Sequence, residues 1–246
     1  MRSVIPFNSE WLFTPKDASP ETPDSHLEQV TLPHTNKILP YHNFDALEYQ
    51  FISTYRRRFR LPEARNGRRL YIDFDGAMIA TEVYVNSMKV GEHEGGFTPF
   101  SFDITDYVNE TGENLLTVKL DSTERPDIPP FGFVVDYMTF GGIYRDVWLR
   151  YVEPVYIKDV FVKTKNVLTN QPCIDVDVTL QNLGSLPCDT QLTVMLEDGD
   201  YLPDDVLVTI PANSEIGVQL HFNSLPKMLL WTLDSPSLEA LQVTLK

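Results

Sequence analysis

Apolar and polar residues alternate with a period of two along much of the chain, in short runs separated by turn residues. Leu70-Tyr71-Ile72-Asp73-Phe74 and Thr81-Glu82-Val83-Tyr84-Val85 each place a large side chain at every second position, which is the pattern of a half-buried strand. Between them and Val90 sits Asn86-Ser87-Met88-Lys89, and asparagine accepts the left-handed backbone that a tight hairpin requires, so a hairpin is predicted here. The chain must turn again at Glu94-Gly95-Gly96-Phe97-Thr98-Pro99, where two glycines open backbone angles closed to other residues and Pro99 cannot donate to a ladder. Strands are then expected over Ser101 to Val108 and Leu115 to Leu120. No helical stripe intervenes, which predicts an antiparallel all-β fold.

Upstream, Trp11-Leu12-Phe13 reads as one short strand followed by a surface loop, since Pro15, Pro20 and Pro23 interrupt regular structure. Gln29 to Leu32 is a second short strand ended by Pro33, residues 36–46 are a loop, and Tyr49 to Leu61 is a strand carrying three consecutive arginines. Alternation puts Tyr55, Arg57, Phe59 and Leu61 on one face of that strand and Arg56, Arg58 and Arg60 on the other. That basic stripe is expected to be a solvated face paired with carboxylates, or else a contact to another domain, a ligand or a second copy of the chain.

Residues 121–140 are different in kind, with Pro126, Pro129, Pro130 and Gly132 among aromatic and apolar side chains. A loop of about twenty residues in a compact domain is uncommon and is usually functional or disordered, and the aromatic content argues for order. Asp136 is the only carboxylate between Asp127 and Asp146. Placed among apolar neighbours, it either caps backbone amides or faces a ligand. Gly141-Gly142 then leads into a last strand through Arg150, with Ile143, Val147 and Leu149 on one face.

Pro154 marks a boundary, which predicts domains at residues 1–153 and 154–246. Beyond it, six further strands are expected, at 155–163, 174–181, 190–197, 206–210, 216–222 and 241–245, with turns at Asn182 to Ser185 and Asp198 to Asp200. That spacing fits an immunoglobulin-like sandwich.

The chain has 246 residues, enough for two cores, and its 42% hydrophobic and 22% charged content is that of a folded protein. A formal charge of −15 repels phosphate backbones and argues against nucleic acid as a partner. No apolar run approaches the roughly eighteen residues of a membrane span, so no membrane partner is expected. The amino terminus lacks a signal-peptide core, and Cys173 and Cys188 alone do not make a disulfide scaffold. Free thiols and a cytoplasmic location are expected, with the Asn109-Glu110-Thr111 sequon unused. His26, His34, His42, His93 and His221 have no metal-site spacing and are read as hydrogen-bonding groups. Trp11, Trp148 and Trp231 are read as packing residues, stacking on a sugar ring being the alternative.

Five ordered motifs carry a family resemblance. Leu32-Pro33-His34-Thr35, Phe74-Asp75-Gly76-Ala77, Val83-Tyr84-Val85-Asn86, the run from Val90 through Phe100 to Thr105, and Gly141-Gly142-Ile143-Tyr144-Arg145 together resemble the sugar-binding domain of glycoside hydrolase family 2. Residues 154–246 are similar to that family's immunoglobulin-like domain, with Leu230-Trp231-Thr232-Leu233-Asp234-Ser235-Pro236 as its closing segment. The fold so implied is a jelly-roll β-sandwich followed by an immunoglobulin-like β-sandwich.

In the family, hydrolysis of the O-glycosidic bond uses two glutamates on a (β/α)8 barrel, which needs roughly 200 residues or more of alternating strand and helix. The resemblance therefore implies the amino-terminal, non-catalytic region of a β-galactosidase-like enzyme of carbohydrate metabolism, without catalytic residues of its own. It would be inactive alone and would meet glycoside substrate through the missing barrel. By the same resemblance Asp136, six residues before Gly142, helps hold the sugar and, in the full enzyme, a monovalent cation such as sodium or potassium. Asn43 would contact the sugar as well. The fragment itself would need no cofactor. Galactoside, glucuronide and mannoside remain open as substrates, and a stand-alone carbohydrate-binding module is the alternative reading.

Overall fold

The computed structural model describes residues 3–42, 45, 48–132, 137–196, 205–223, 225 and 229–246. The chain divides into two compact units, Met1–Val152 and Glu153–Lys246. Every strand pairing among the described residues is antiparallel.

The first unit contains β1 (Ser3–Pro6), β2 (Trp11–Thr14), β3 (Glu28–Val30), β4 (Ile52–Phe59), β5 (Arg69–Phe74), β6 (Ala80–Val85), β7 (Met88–Glu94), β8 (Phe100–Asp103), β9 (Asn114–Asp121) and β10 (Val147–Val152). They form two sheets, ordered β1-β10-β5-β8 and β3-β2-β4-β9-β6-β7. The alternation read from the sequence becomes two-faced burial. Leu116, Val118 and Leu120 of β9 join Leu70, Ile72 and Phe74 of β5 and Val147, Leu149 and Tyr151 of β10 in one core, so the sheets stack as a sandwich. Each such side chain contributes about 1.5–3 kcal/mol of hydrophobic stabilisation when fully buried.

Asn86 and Ser87 make the hairpin between β6 and β7, with φ of 50° and 69°. Asn86 also accepts a hydrogen bond from the Leu115 amide at 3.0 Å and donates to the Tyr107 carbonyl at 2.8 Å, so the turn is tied to β9. The strand expected through Val108 stops at Asp103 instead. Its carboxylate accepts the Thr105 amide at 3.0 Å, and the Thr105 hydroxyl accepts the Leu70 amide at 2.8 Å, which turns the chain out of the sheet. Two sequence expectations fall short at the ends of the unit. The amino terminus has an extra strand, β1, on the sheet edge where Pro6 is tolerated, and the last strand begins only at Val147.

The basic stripe is a solvated face at Arg58 and Arg60, as expected, but not at Arg56. Arg56 is 1% exposed, because the segment before β3 folds across it. Its guanidinium donates to the Thr22 carbonyl at 2.7 Å, to the Ser19 carbonyl and, at 3.4 Å, to Asp24. Arg58 shares Asp24 and reaches Glu113 at 3.0 Å. On the other face Arg57 is buried with its guanidinium 3.4 Å from the centre of the Phe7 ring, and burial pushes its pKa down to about 10. It remains a cation at neutral pH, held by the ring's negative face.

The second unit contains β11 (Val155–Lys165), β12 (Cys173–Asn182), β13 (Cys188–Leu196), β14 (Val206–Ile210), β15 (Ser214–Phe222) and β16 (Leu241–Leu245). Its sheets are ordered β11-β12-β15 and β14-β13-β16, and Val176, Val178 and Leu180 of β12 share a core with Leu192 and Val194 of β13. Cys173 and Cys188 are free thiols. No helix among the described residues is long and apolar enough to cross a membrane.

Replacing Arg56 with methionine removes the donor to the Thr22 carbonyl, leaves the Ser19 carbonyl with the Thr22 amide alone and takes one partner from Asp24. Urea denaturation should show a loss of about 2–4 kcal/mol. Arg60→Ala, on an exposed side chain, should cost less than about 0.5 kcal/mol.

Candidate functional site

Asp136 and Asn43, the two residues singled out from the sequence as sugar contacts, lie outside the described residues. The described chain on either side of each belongs to one cluster. Segment 37–48, which carries Asn43, leaves at Asn36 and returns at Tyr49. Segment 123–140, which carries Asp136, leaves at Ser122 and returns at Gly141. The Asn36 side-chain amide donates to the Tyr49 carbonyl at 3.0 Å and to the Ser122 hydroxyl at 3.2 Å. The Ser122 hydroxyl in turn donates to the Met78 carbonyl at 3.0 Å, and its backbone amide donates to the Phe51 carbonyl at 3.2 Å.

Backbone pairing seals the cluster. Asn36 N donates to Gly141 O at 2.9 Å, His34 N to Ile143 O at 2.8 Å, Met78 N to Gly142 O at 3.0 Å and Ile79 N to Asp121 O at 3.0 Å. The paired glycines are what permit this approach. Gly142 has φ +119°, and a Cβ there would overlap the His34 carbonyl oxygen; one at Gly141 would overlap Ser122 Oγ and Asn36 Nδ2. Beneath them, His34 Nδ1 and the Tyr55 hydroxyl lie 2.9 Å apart, with the Phe13 ring centre 4.8 Å from the imidazole and 4.9 Å from the phenol. Burial pushes the His34 pKa down, against a smaller upward pull from Glu28, and burial pushes Tyr55 up.

The proximal part of segment 123–140 is packed. Ile128 is buried against Met78 and Ile79, Arg125 reaches Asp127 at 2.6 Å and Glu94 at 3.1 Å, and Glu124 accepts the Gly132 amide at 2.7 Å. Chemically these anchors are carbonyls, amides and hydroxyls. Among the described residues no three His, Cys, Asp or Glu side chains come together as metal ligands. The anchors hold segments in place and contain no acid and nucleophile pair. The sequence motifs include His34, Gly141 and Gly142, whereas Asn36 and Ser122 carry no local signal, because their partners are distant in the chain.

Of the other residues considered, Trp11 is fully buried, Trp148 donates to Asp75 at 2.9 Å, and His221 pairs with Asp175 at 2.8 Å. The second unit has a distinct feature, an apolar cavity of about 470 Å³ lined by Leu168, Leu196, Leu229, Trp231, Leu238 and Leu241, among others. Leu229, Trp231 and Leu238 on its wall are 70%, 56% and 87% exposed.

Gly142→Ala should destabilise the chain by more than about 2 kcal/mol in denaturant titration, since both the φ and the His34 carbonyl oppose a Cβ. Gly112→Ala, at φ +110° in open space, should cost only about 1 kcal/mol. The lowered pKa of His34 means that folding favours its neutral form. Its stabilising share is whole above the unfolded value of about 6.5 and declines as pH falls through that value. Between about pH 7.5 and 5.5 the melting temperature should therefore fall further in the unaltered chain than in His34→Gln.

The family model described as "Glycosyl hydrolases family 2, sugar binding domain" matches residues 39–154. A β-galactosidase of Thermoanaerobacter pseudethanolicus is 44% identical over 184 residues, covering 73% of this chain and 25% of the relative. A β-galactosidase of Thermoanaerobacterium thermosulfurigenes is 35% identical over 100% of this chain and 35% of its own length. Among solved structures, a calcium-binding mutant of Bacteroides uniformis β-glucuronidase 2 superposes with a TM-score of 0.88 at 28% identity, covering 100% of this chain and 31% of that one. The chain thus spans between a quarter and about a third of the length of these relatives. Motifs, antiparallel sandwiches and matches agree: the chain belongs to glycoside hydrolase family 2 and carries that family's sugar-binding domain.

Proposed function

We propose that these 246 residues are the non-catalytic part of a glycosidase acting on β-galactosides. In this reading the first unit lends the edge of the sugar subsite, through Asn43 and Asp136 on the two segments rooted at Asn36. The second unit presents an apolar face to a barrel domain that holds the acid and the nucleophile.

The observation that carries the reading is the apolar surface around Trp231. Leu229, Trp231 and Leu238 stand well exposed around a cavity of about 470 Å³. Soluble domains seldom leave such a patch open, and one of this kind marks a surface that another protein part covers. Two further observations favour it. All described strand pairs are antiparallel, whereas a catalytic barrel needs roughly 200 residues of parallel strands with helices. The relatives named β-galactosidase, at 44% and 35% identity, extend well beyond the matched stretch and have length for such a barrel.

Two outcomes are expected. The isolated chain should release no nitrophenol from a nitrophenyl β-galactoside, and titration calorimetry should find lactose binding no tighter than about millimolar. Turnover that copurifies with the chain, or markedly tighter binding, would overturn the proposal in favour of a self-sufficient enzyme or binding module. Trp231→Asp should leave the melting temperature of the isolated chain within about 2 °C, because the side chain is already wet. In the complete glycosidase the same change should lower thermal stability and activity together; an unaffected enzyme would refute the docking role.

A further inference from the structure

Asn36 is 5% exposed and lies outside every strand, yet its hydrogen bonds span the first unit. One side-chain nitrogen donates to Tyr49, 13 residues on, and to Ser122, 86 residues on. Its backbone amide donates to the carbonyl of Gly141. It therefore touches the far root of its own segment and both roots of segment 123–140.

We propose that Asn36 is a positioning residue that locks the roots of segments 37–48 and 123–140 into a single register, so that they shift together or not at all. The chemistry favours an amide at this place. Both donors issue from one planar NH2 group at 3.0 and 3.2 Å, a geometry that serine is too short to reach and that aspartate, having no donor, would reverse. Asn36 Oδ1 is buried without a donor among the described residues, so the NH2 group alone ties the side chain down. Gly141 supplies an independent observation: the atoms that a Cβ there would strike are Ser122 Oγ, Asn36 Nδ2 and Ser122 Cβ, so glycine is required by this amide and its hydroxyl partner.

The inference rests on the proposed function only for what the two segments touch, not for their coupling. Amide hydrogen exchange in the 246-residue chain tests the coupling. Asn36→Ala should raise exchange about tenfold or more in both segments, while strands β5 and β9 stay within about twofold. Ser122→Ala leaves the Asn36–Tyr49 bond in place, and it should nevertheless raise exchange in segment 37–48, among whose described residues the Ser122 side chain has no hydrogen-bond partner. A response confined to one segment, in either variant, overturns the proposal. If Asn36→Ala fails to fold, Ser122→Ala decides alone.

In the complete glycosidase, Asn36→Ala should raise KM about tenfold and change kcat less than about threefold, whereas a merely structural loss would lower the active fraction and leave KM alone. Joint loosening with an unchanged KM would uphold the coupling and refute the subsite role of the two segments.

Discussion

The first sandwich depends on one close approach, the backbone of Gly141-Gly142 passing against His34 to Asn36 on one side and Met78 on the other. Three backbone hydrogen bonds of 2.8 to 3.0 Å, donated by His34, Asn36 and Met78, form only because two residues lack a Cβ there. The approach brings residues 34–36 against residues more than a hundred positions later, and both stretches lie outside the strands. Ser122, Tyr49 and Tyr55 are placed by the same contact. A side chain at either glycine would push the two segments apart at their common root.

Polar residues do structural work in this fold where hydrophobic patterning would place either core or solvent. Arg56 anchors the segment before β3 by donating to its carbonyls, which gives an otherwise irregular, proline-rich stretch a fixed path. Arg57 meets the face of Phe7 inside the sandwich. A long cationic side chain offers several donors and a flexible stem, so it can satisfy carbonyls that a β-strand would otherwise have paired. The sandwich thereby covers the middle of one face of β4, at Thr54 and Arg56, without adding another sheet.

The second unit repeats the two-sheet solution with aliphatic residues, but its surface is unlike that of the first. Leucines and a tryptophan from the stretch preceding β16 stand in solvent around a cavity that the unit's own core does not fill. Strand alternation accounts for the buried valines of β12, and it gives no account of this exposed set, which lies outside the strands. Covering it removes apolar area from water, the physical incentive for association with a further domain.

Alternation by itself determined the all-β class, most strand positions, the Asn86 hairpin and the antiparallel order, because burial on one face of a strand is a local, period-two property. The family motifs added the importance of His34 and the paired glycines. Tertiary structure alone decided that Arg56 is buried, that the strand after Phe100 stops at Asp103, and that Asn36 and Ser122 meet. Those outcomes turn on which carbonyls arrive opposite a donor after the chain has folded back, and a hydrogen bond between residues 86 positions apart leaves no period in the sequence that could announce it.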